Sequence, residues 1–188
     1  LVWGVYQSVN GRRITYTPLL QRATETQKAE EASDGEAQRL ARQLVGEMET
    51  YTDATVHAVP DRIAEYVDPS LQEKLEDHYG NLREQIRGSA QSRYCSPLGG
   101  TVNGRQGGYI QVLVPYEIIV LSGQLDLFAR REVISEARRV AVLLFIQRKP
   151  TLDNKFGLFL TQVDHHDRRD WIDGGNPDIW SKYVTGGS

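Results

Sequence analysis

The run Asp164-His165-His166-Asp167 sets two carboxylates and two imidazoles side by side. Such side chains bind zinc or carry protons near neutral pH. On an extended chain, however, adjacent side chains point to opposite faces, so at most two of the four converge without a turn. A zinc site needs three or four ligands in closed geometry, so the run is expected to be a solvated strand end leading into a polar tail. His57 and His78 fall on or beside helical segments at partly apolar positions and are expected as packed or surface histidines. Cys95 is the only cysteine, which excludes an intramolecular disulfide and a cysteine-based zinc site. A nucleophile needs an adjacent base, and no sequence neighbour supplies one, so Cys95 is expected as a small core or strand residue. The glycine-rich stretch "GGTVNGRQGG" lacks the lysine of a phosphate loop and lies between strands rather than before a helix, so it predicts a hairpin and no nucleotide site. Glu73, Glu76, Asp77 and Glu84 with Lys74, Arg83 and Arg87 have the spacing of ordinary helix-surface pairs.

The C-terminus is the other concentration of functional side chains. Trp171, Ile172, Ile179, Trp180 and Tyr183 sit among Gly, Asp, Asn and Pro in a segment too irregular to build a core. Aromatics in such a setting dock on a partner or on their own domain. Trp171, Ile172, Trp180 and Tyr183 are therefore the candidate partner contacts.

Composition narrows the classes of function. Hydrophobic residues make up 39% of the chain and charged residues 25%, with a net charge of −3. That balance describes a globular protein and supplies no basic surface for nucleic acid. No run reaches the roughly 20 apolar residues that cross a bilayer. The chain opens on an apolar stub of Leu1, Val2, Trp3, Val5 and Tyr6, without an initiator methionine.

Residues 1–34 differ from the rest. Asn10-Gly11 suits a helix C-terminus or a tight turn, Ile14 to Thr17 favour extended geometry, and residues 21–35 read as a linker or a loose helical stretch. Ser33 and Glu36 have capping-box spacing. Ala37, Leu40, Ala41, Leu44, Val45, Met48 and Tyr51 then recur at helical steps, predicting a long amphipathic helix. Pro60 and Pro69 occupy first-turn positions of two further helices, the second capped by Asp68 with Leu71, Leu75, Tyr79 (or His78), Leu82 and Ile86 as its apolar face. The second half is β-prone. Asn103-Gly104 signals a hairpin turn, and from Ile110 to Val120 the even positions are apolar or aromatic. Pro115 points to an edge or a bulge. Residues 132–148 begin charged and become apolar on both faces, as a long curved central strand would. The fold class is α+β: three N-terminal helices packed on a curved, about four-stranded antiparallel sheet, with residues 35–167 as the domain and 168–188 as a tail.

In this order of elements the chain resembles the TraE-type inner-membrane assembly proteins of conjugative and type IV secretion machines. The resemblance covers roughly residues 1–166. It rests on an apolar helix end running into "YQSVNGRRITYTPLL", then on "AQRLARQLVGEMETYTDATVHAVPDRIAEYVDPSLQEKLE" with its step "EYVDPSLQ" from Glu65 to Gln72. The blocks "VLVPYEIIVL", "RVAVLLFIQRK" and "FGLFLTQV" are similar to the family's closing sheet. The resemblance implies a nuclear-transport-factor-like cone in the bacterial periplasm, held to the inner membrane by a single helix preceding this chain. It implies a non-enzymatic assembly role in DNA and protein transfer, with a homo-oligomer and other channel subunits as partners, no cofactor, no metal and no direct nucleic-acid binding. Leu1, Val2, Trp3, Val5 and Tyr6 then become the membrane-proximal end of that helix, with Trp3 and Tyr6 at the interface and Asn10-Gly11 closing it. A strand edge near Pro115 and the first helix are the candidate self-association surfaces.

The same cone also hosts isomerase- or dehydratase-like enzymes with a carboxylate or His base in an apolar pocket. Such an enzyme would carry that group on the inward parity of a strand. The even face from 110 to 120 carries none.

Overall fold

The structure, a computed structural model, describes residues 8–9, 12–13, 32–122 and 132–182. The chain divides into two units, Leu1–Glu31 and Ala32–Ser188. In the first, β1 (Ser8–Val9) pairs antiparallel with β2 (Arg12–Arg13). Asn10-Gly11, between these two strands, lies outside the described residues. Leu1, Val2, Trp3, Val5 and Tyr6 lie outside the described residues.

The second unit begins with α1 (Asp34–Glu49), whose start follows the predicted capping box. The Glu36 backbone N–H donates to Ser33 Oγ at 3.3 Å, and the Ser33 backbone N–H donates to Glu36 Oε2 at 2.8 Å. Ala37, Leu40, Ala41, Leu44, Val45 and Met48 are all buried on one face. The helix has no basic residue in its last turn, and its final carbonyls are satisfied from outside. Arg62 donates to the carbonyls of Glu47 at 2.8 Å and Thr50 at 3.1 Å, and the Tyr79 hydroxyl donates to that of Met48 at 2.9 Å. Arg62 belongs to α2 (Val59–Ile63), a five-residue helix flanked by single 3-10 turns. Tyr79 belongs to α3 (Pro69–Ile86), which Asp68 caps by accepting from Ser70 N–H at 3.0 Å and from Ser70 Oγ at 2.7 Å. Those bonds hold the Asp68 carboxyl below its usual pKa. Arg148, the residue that follows the strand Glu132–Gln147, ion-pairs with the same carboxylate, tying the start of α3 to the sheet.

The sheet has six strands in the order β3-β4-β6-β7-β8, with β5 also on β6. Its long members are β6 (Tyr109–Ser122), β7 (Glu132–Gln147) and β8 (Leu158–Asp167); β4 (Ser92–Pro97) and β5 (Thr101–Gln106) share one side of β6, and β3 (Tyr51–Thr52) adds two residues to β4. The extra strands beyond the expected four are this split neighbour and the two-residue β3. Pro115 explains the split. It sits in a central strand rather than at an edge, and its carbonyl accepts from Leu98 N–H at 2.9 Å, between the end of β4 and the start of β5. A proline cannot donate to a ladder, so it stands where the neighbouring strand is interrupted. The hairpin turn also differs from expectation. Asn103-Gly104 lies inside β5, where the register slips, and the turn is Gly107-Gly108, with φ of +58° and +81°. Two consecutive positive φ values make the turn that matches strand twist, and glycine takes them at least cost.

β6 separates two cores. Its even face (Ile110, Val112, Val114, Tyr116, Ile118) joins Ala141, Leu143 and Phe145 of β7 and the buried stripe of α1. On the other face Leu113 and Val140 meet Trp171 and Trp180.

After β7 the chain folds back through Asn154, whose side-chain amide donates to the carbonyls of Leu158 at 2.8 Å and Glu65 at 3.3 Å. Gly157 has φ +61°, and a Cβ there would stand 2.1 Å from the Arg148 carbonyl oxygen. Both backbone strain and overlap therefore oppose any side chain. Gly157→Ala is expected to destabilise the domain by about 2 kcal/mol or more, read as a lowered urea midpoint, while Gly104→Ala, with open space around its Cβ, is expected to change it little.

Candidate functional site

The Asp164–Asp167 run splits across the sheet as strand parity demands. Asp164 accepts from the Gln162 amide at 2.7 Å, His166 stands against Trp171 at 5.6 Å between ring centroids, and Asp167 pairs with Arg139 at 2.6 Å. Among the described residues no group of three His, Cys, Asp or Glu is placed to hold a metal ion. All four residues are exposed, as expected of a solvated strand end, but the His165 ring turns inward, its side chain 27% exposed and its Nδ1 2.7 Å from the Tyr116 hydroxyl. Its Nε2 lies 3.6 Å from Glu49 Oε1, and the other Glu49 oxygen is held by Arg93 in a hydrogen-bonded ion pair. Arg93 also donates to the Tyr51 hydroxyl at 3.3 Å and lies 5.6 Å from the centroid of that ring.

Four elements meet to build this network: the last residue of α1, the inward parity of β4, the even face of β6 and the end of β8. Burial is the main cause holding His165 below its ordinary pKa; Glu49 pulls the other way, while Arg93, Arg139 and His78 add to the lowering. Burial also raises the Tyr116 phenol, so the hydroxyl hydrogen-bonded to Nδ1 keeps its proton. Nε2 of the ring faces Glu49. Cys95, on the same strand as Arg93, has its thiol pushed up to about 12, mainly by burial. It is an unreactive strand residue, as expected.

The inward face is thus not free of acid–base groups. The expectation held for β6, whose even positions carry none, but His165 comes from β8 and Glu49 from a helix. One signal was present: Glu49 follows Val45 by four residues and so falls on the buried stripe of α1. His165 could not be assigned to the inner face until the pairing of β8 with β7 was fixed. Chemically the network is occupied with itself, because the Glu49 oxygens face Arg93 and His165, and Tyr116 is fully buried. A cleft of about 780 Å³ beside the β5–β6 hairpin, lined by Arg105, Tyr109, Gln111, Leu144 and Gln162 among others, includes none of these residues.

The C-terminal candidates separate. Trp171 and Trp180 are corrected from partner contacts to contacts with their own sheet: they are 9% and 0% exposed. The segment is irregular but closes on itself, with α4 (Arg168–Asp173) followed by a turn in which Trp171 Nε1 donates to the Pro177 carbonyl at 3.0 Å. Arg168 ion-pairs with Asp178 and lies 5.7 Å from the Trp180 ring centroid. Ile172 remains 36% exposed, and Tyr183 lies outside the described residues.

No protein-family model matches the chain, and no curated protein matches it in sequence. Solved structures do resemble it. The soluble domain of TrwG, from the type IV secretion machinery of Bartonella grahamii, aligns over 74% of this chain and 97% of its own, at 15% identity and a TM-score of 0.57. The periplasmic domain of DotI covers 71% of this chain and 95% of its own, at 14% identity and a TM-score of 0.55. TraE covers 69% and 92%, at 12% identity and a TM-score of 0.51. The likeness is one of fold: helices first, then a curled antiparallel sheet, the α+β cone that the TraE resemblance implied.

Replacing Glu49 by Gln leaves the Arg93 guanidinium without its counter-charge in a largely buried place. That variant is expected to lose about 2–3 kcal/mol of stability, measured by urea denaturation at pH 7.5. His165 has a folded pKa below its unfolded value, so the unfolded state binds more protons as pH falls past that value. The neutral ring's contribution is complete above the unfolded pKa of about 6.5 and declines below it. Stability measured at pH 7.5 and pH 5.5 is expected to fall less in His165→Gln than in the parent.

Proposed function

We propose that this chain is a non-enzymatic structural subunit of a bacterial type IV secretion or conjugation apparatus. In this reading the domain from Ala32 onward lies in the periplasm, and a single inner-membrane helix ends at Leu1, Val2, Trp3, Val5 and Tyr6. The protein associates with copies of itself and with other channel subunits, and helps to assemble the passage for DNA and protein. The observation that carries the reading is the breadth of the fold likeness: type IV secretion components align with this chain over nearly their whole length. The self-occupied network agrees with it, since Glu49 is committed to Arg93.

A second reading keeps one observation in its favour. His165 and Glu49, with the Tyr116 hydroxyl beside them, form the kind of acid–base pair that a small-molecule enzyme of the cone fold would use.

Deleting the gene from the bacterium that carries it tests the first reading. DNA transfer to recipient cells, or export of the system's substrate, is expected to fall to background. Restoration by Glu49→Gln at permissive temperature is expected under the structural role, because catalysis is not asked of that residue. Unchanged transfer after deletion would contradict the proposal.

A further inference from the structure

β7 is longer than its partner on the far side. β8 pairs with it from Gln147 to Arg139, then leaves at Asp167 into α4, while β7 extends back to Glu132 with, among the described residues, β6 alone beside it. The direction of the free backbone groups follows from two bonds. The Pro115 carbonyl points away from β7, to Leu98, and the Cys95 N–H points away from β6, to Thr50 Oγ1 at 3.2 Å. Alternation from the Pro115–Val140 pair then turns Glu136 and Arg138 outward, each with one N–H and one C=O on the open edge. A register slip at Ile134 limits the regular part of that edge to Ser135–Arg138.

A cleft of about 770 Å³ runs along this edge. Ser135, Ala137 and Arg139 reach it from one face of β7 and Arg138 from the other, as only a cleft along an edge allows. Arg168, Arg169 and Ile172 of α4 form its far wall. Four arginines thus line it with a single carboxylate, Asp167, in a chain of net charge −3. Arg138 pairs with Glu117 at 2.8 Å, Arg139 with Asp167 at 2.6 Å, and Arg168 with Asp178. Among the described residues Arg169 pairs only with the exposed Asp173, at 3.6 Å, a pair of little worth in water. Val133 and Ile134, each 51% exposed, continue the edge beyond the cleft.

Open edges of this kind are normally blunted, and this one is short and bulged, yet its surroundings are positive and partly apolar. We propose that the β7 edge from Ser135 to Arg138 accepts an extended, acidic segment of a partner protein as an added strand, continuing the line that β8 leaves at Asp167. Backbone bonds at Glu136 and Arg138 would hold the segment, and the arginine wall would select acidic side chains. This goes beyond the assembly reading, because it is defined by residues of this chain and is tested without any secretion system.

The probe is a fluorescein-labelled nonapeptide, Thr-Glu-Val-Glu-Val-Glu-Val-Glu-Thr, added to the full chain in low salt and followed by anisotropy. Saturable binding is expected, weakened about tenfold or more by replacing every Glu in the peptide with Lys, or by Arg169→Glu. Glu136→Pro removes an N–H that faces the open edge and leaves the β6 ladder intact, so it is expected to keep the melting temperature and lose the peptide. Slowed amide exchange at Glu136 and Arg138 in the unmutated chain reports the backbone bonds directly. No binding at millimolar peptide, or binding without protection of those two amides, overturns the proposal. So does a dimer in light scattering that Glu136→Pro abolishes, since the occupant would then be a second copy.

Discussion

The even face of β6 and the facing residues Ala141, Leu143 and Phe145 of β7 make an apolar surface that α1 must cover. Leu40, Leu44, Val45 and Met48 are the side chains that do so, each 2% exposed or less, and each such burial contributes about 1.5–3 kcal/mol. Much else follows from that packing. At the C-terminus of α1, Tyr79 supplies a buried donor to the Met48 carbonyl, and Arg62 bonds the more exposed carbonyls of Glu47 and Thr50. Glu49, on the buried stripe one turn beyond Val45, needs Arg93 as its counter-charge.

What could be read from the sequence was what depends on local periodicity. The capping box, the amphipathic α1, the proline-started α3 and the alternation of β6 are each properties of a few neighbouring residues, and each appears in the fold. The central position of β7 was legible too, because only a doubly covered strand carries a run such as Val140 to Ile146. Less legible were features that depend on which strand lies beside which. Pro115 suggested an edge, yet an interrupted neighbour satisfies the same missing donor. Two Gly-containing pairs competed for one hairpin turn, and Gly107-Gly108 prevailed over Asn103-Gly104. Trp171 and Trp180 sat in an irregular segment, and nothing local revealed that Leu113 and Val140 offered them an apolar seat on the sheet's second face. His165 was legible as chemistry but not as to face.

The two faces of the sheet therefore have different characters. The inner one is closed by α1 and sealed at one end by the Glu49–Arg93–His165–Tyr116 network. The outer one is covered by the Trp171–Trp180 segment over Leu113 and Val140, and is left open along the first residues of β7. The domain commits its inner acid–base groups to one another and keeps a strand edge and exposed apolar side chains outside, a division that agrees with the proposed assembly role.

The most direct measurement is to place an affinity tag at the C-terminus encoded by the chromosomal gene, solubilise the membranes in mild detergent and identify what co-purifies. The assembly account predicts recovery in the membrane fraction, in a large particle containing other secretion-channel subunits in fixed ratio. Recovery as a free monomer in the soluble fraction, without those subunits, would contradict it.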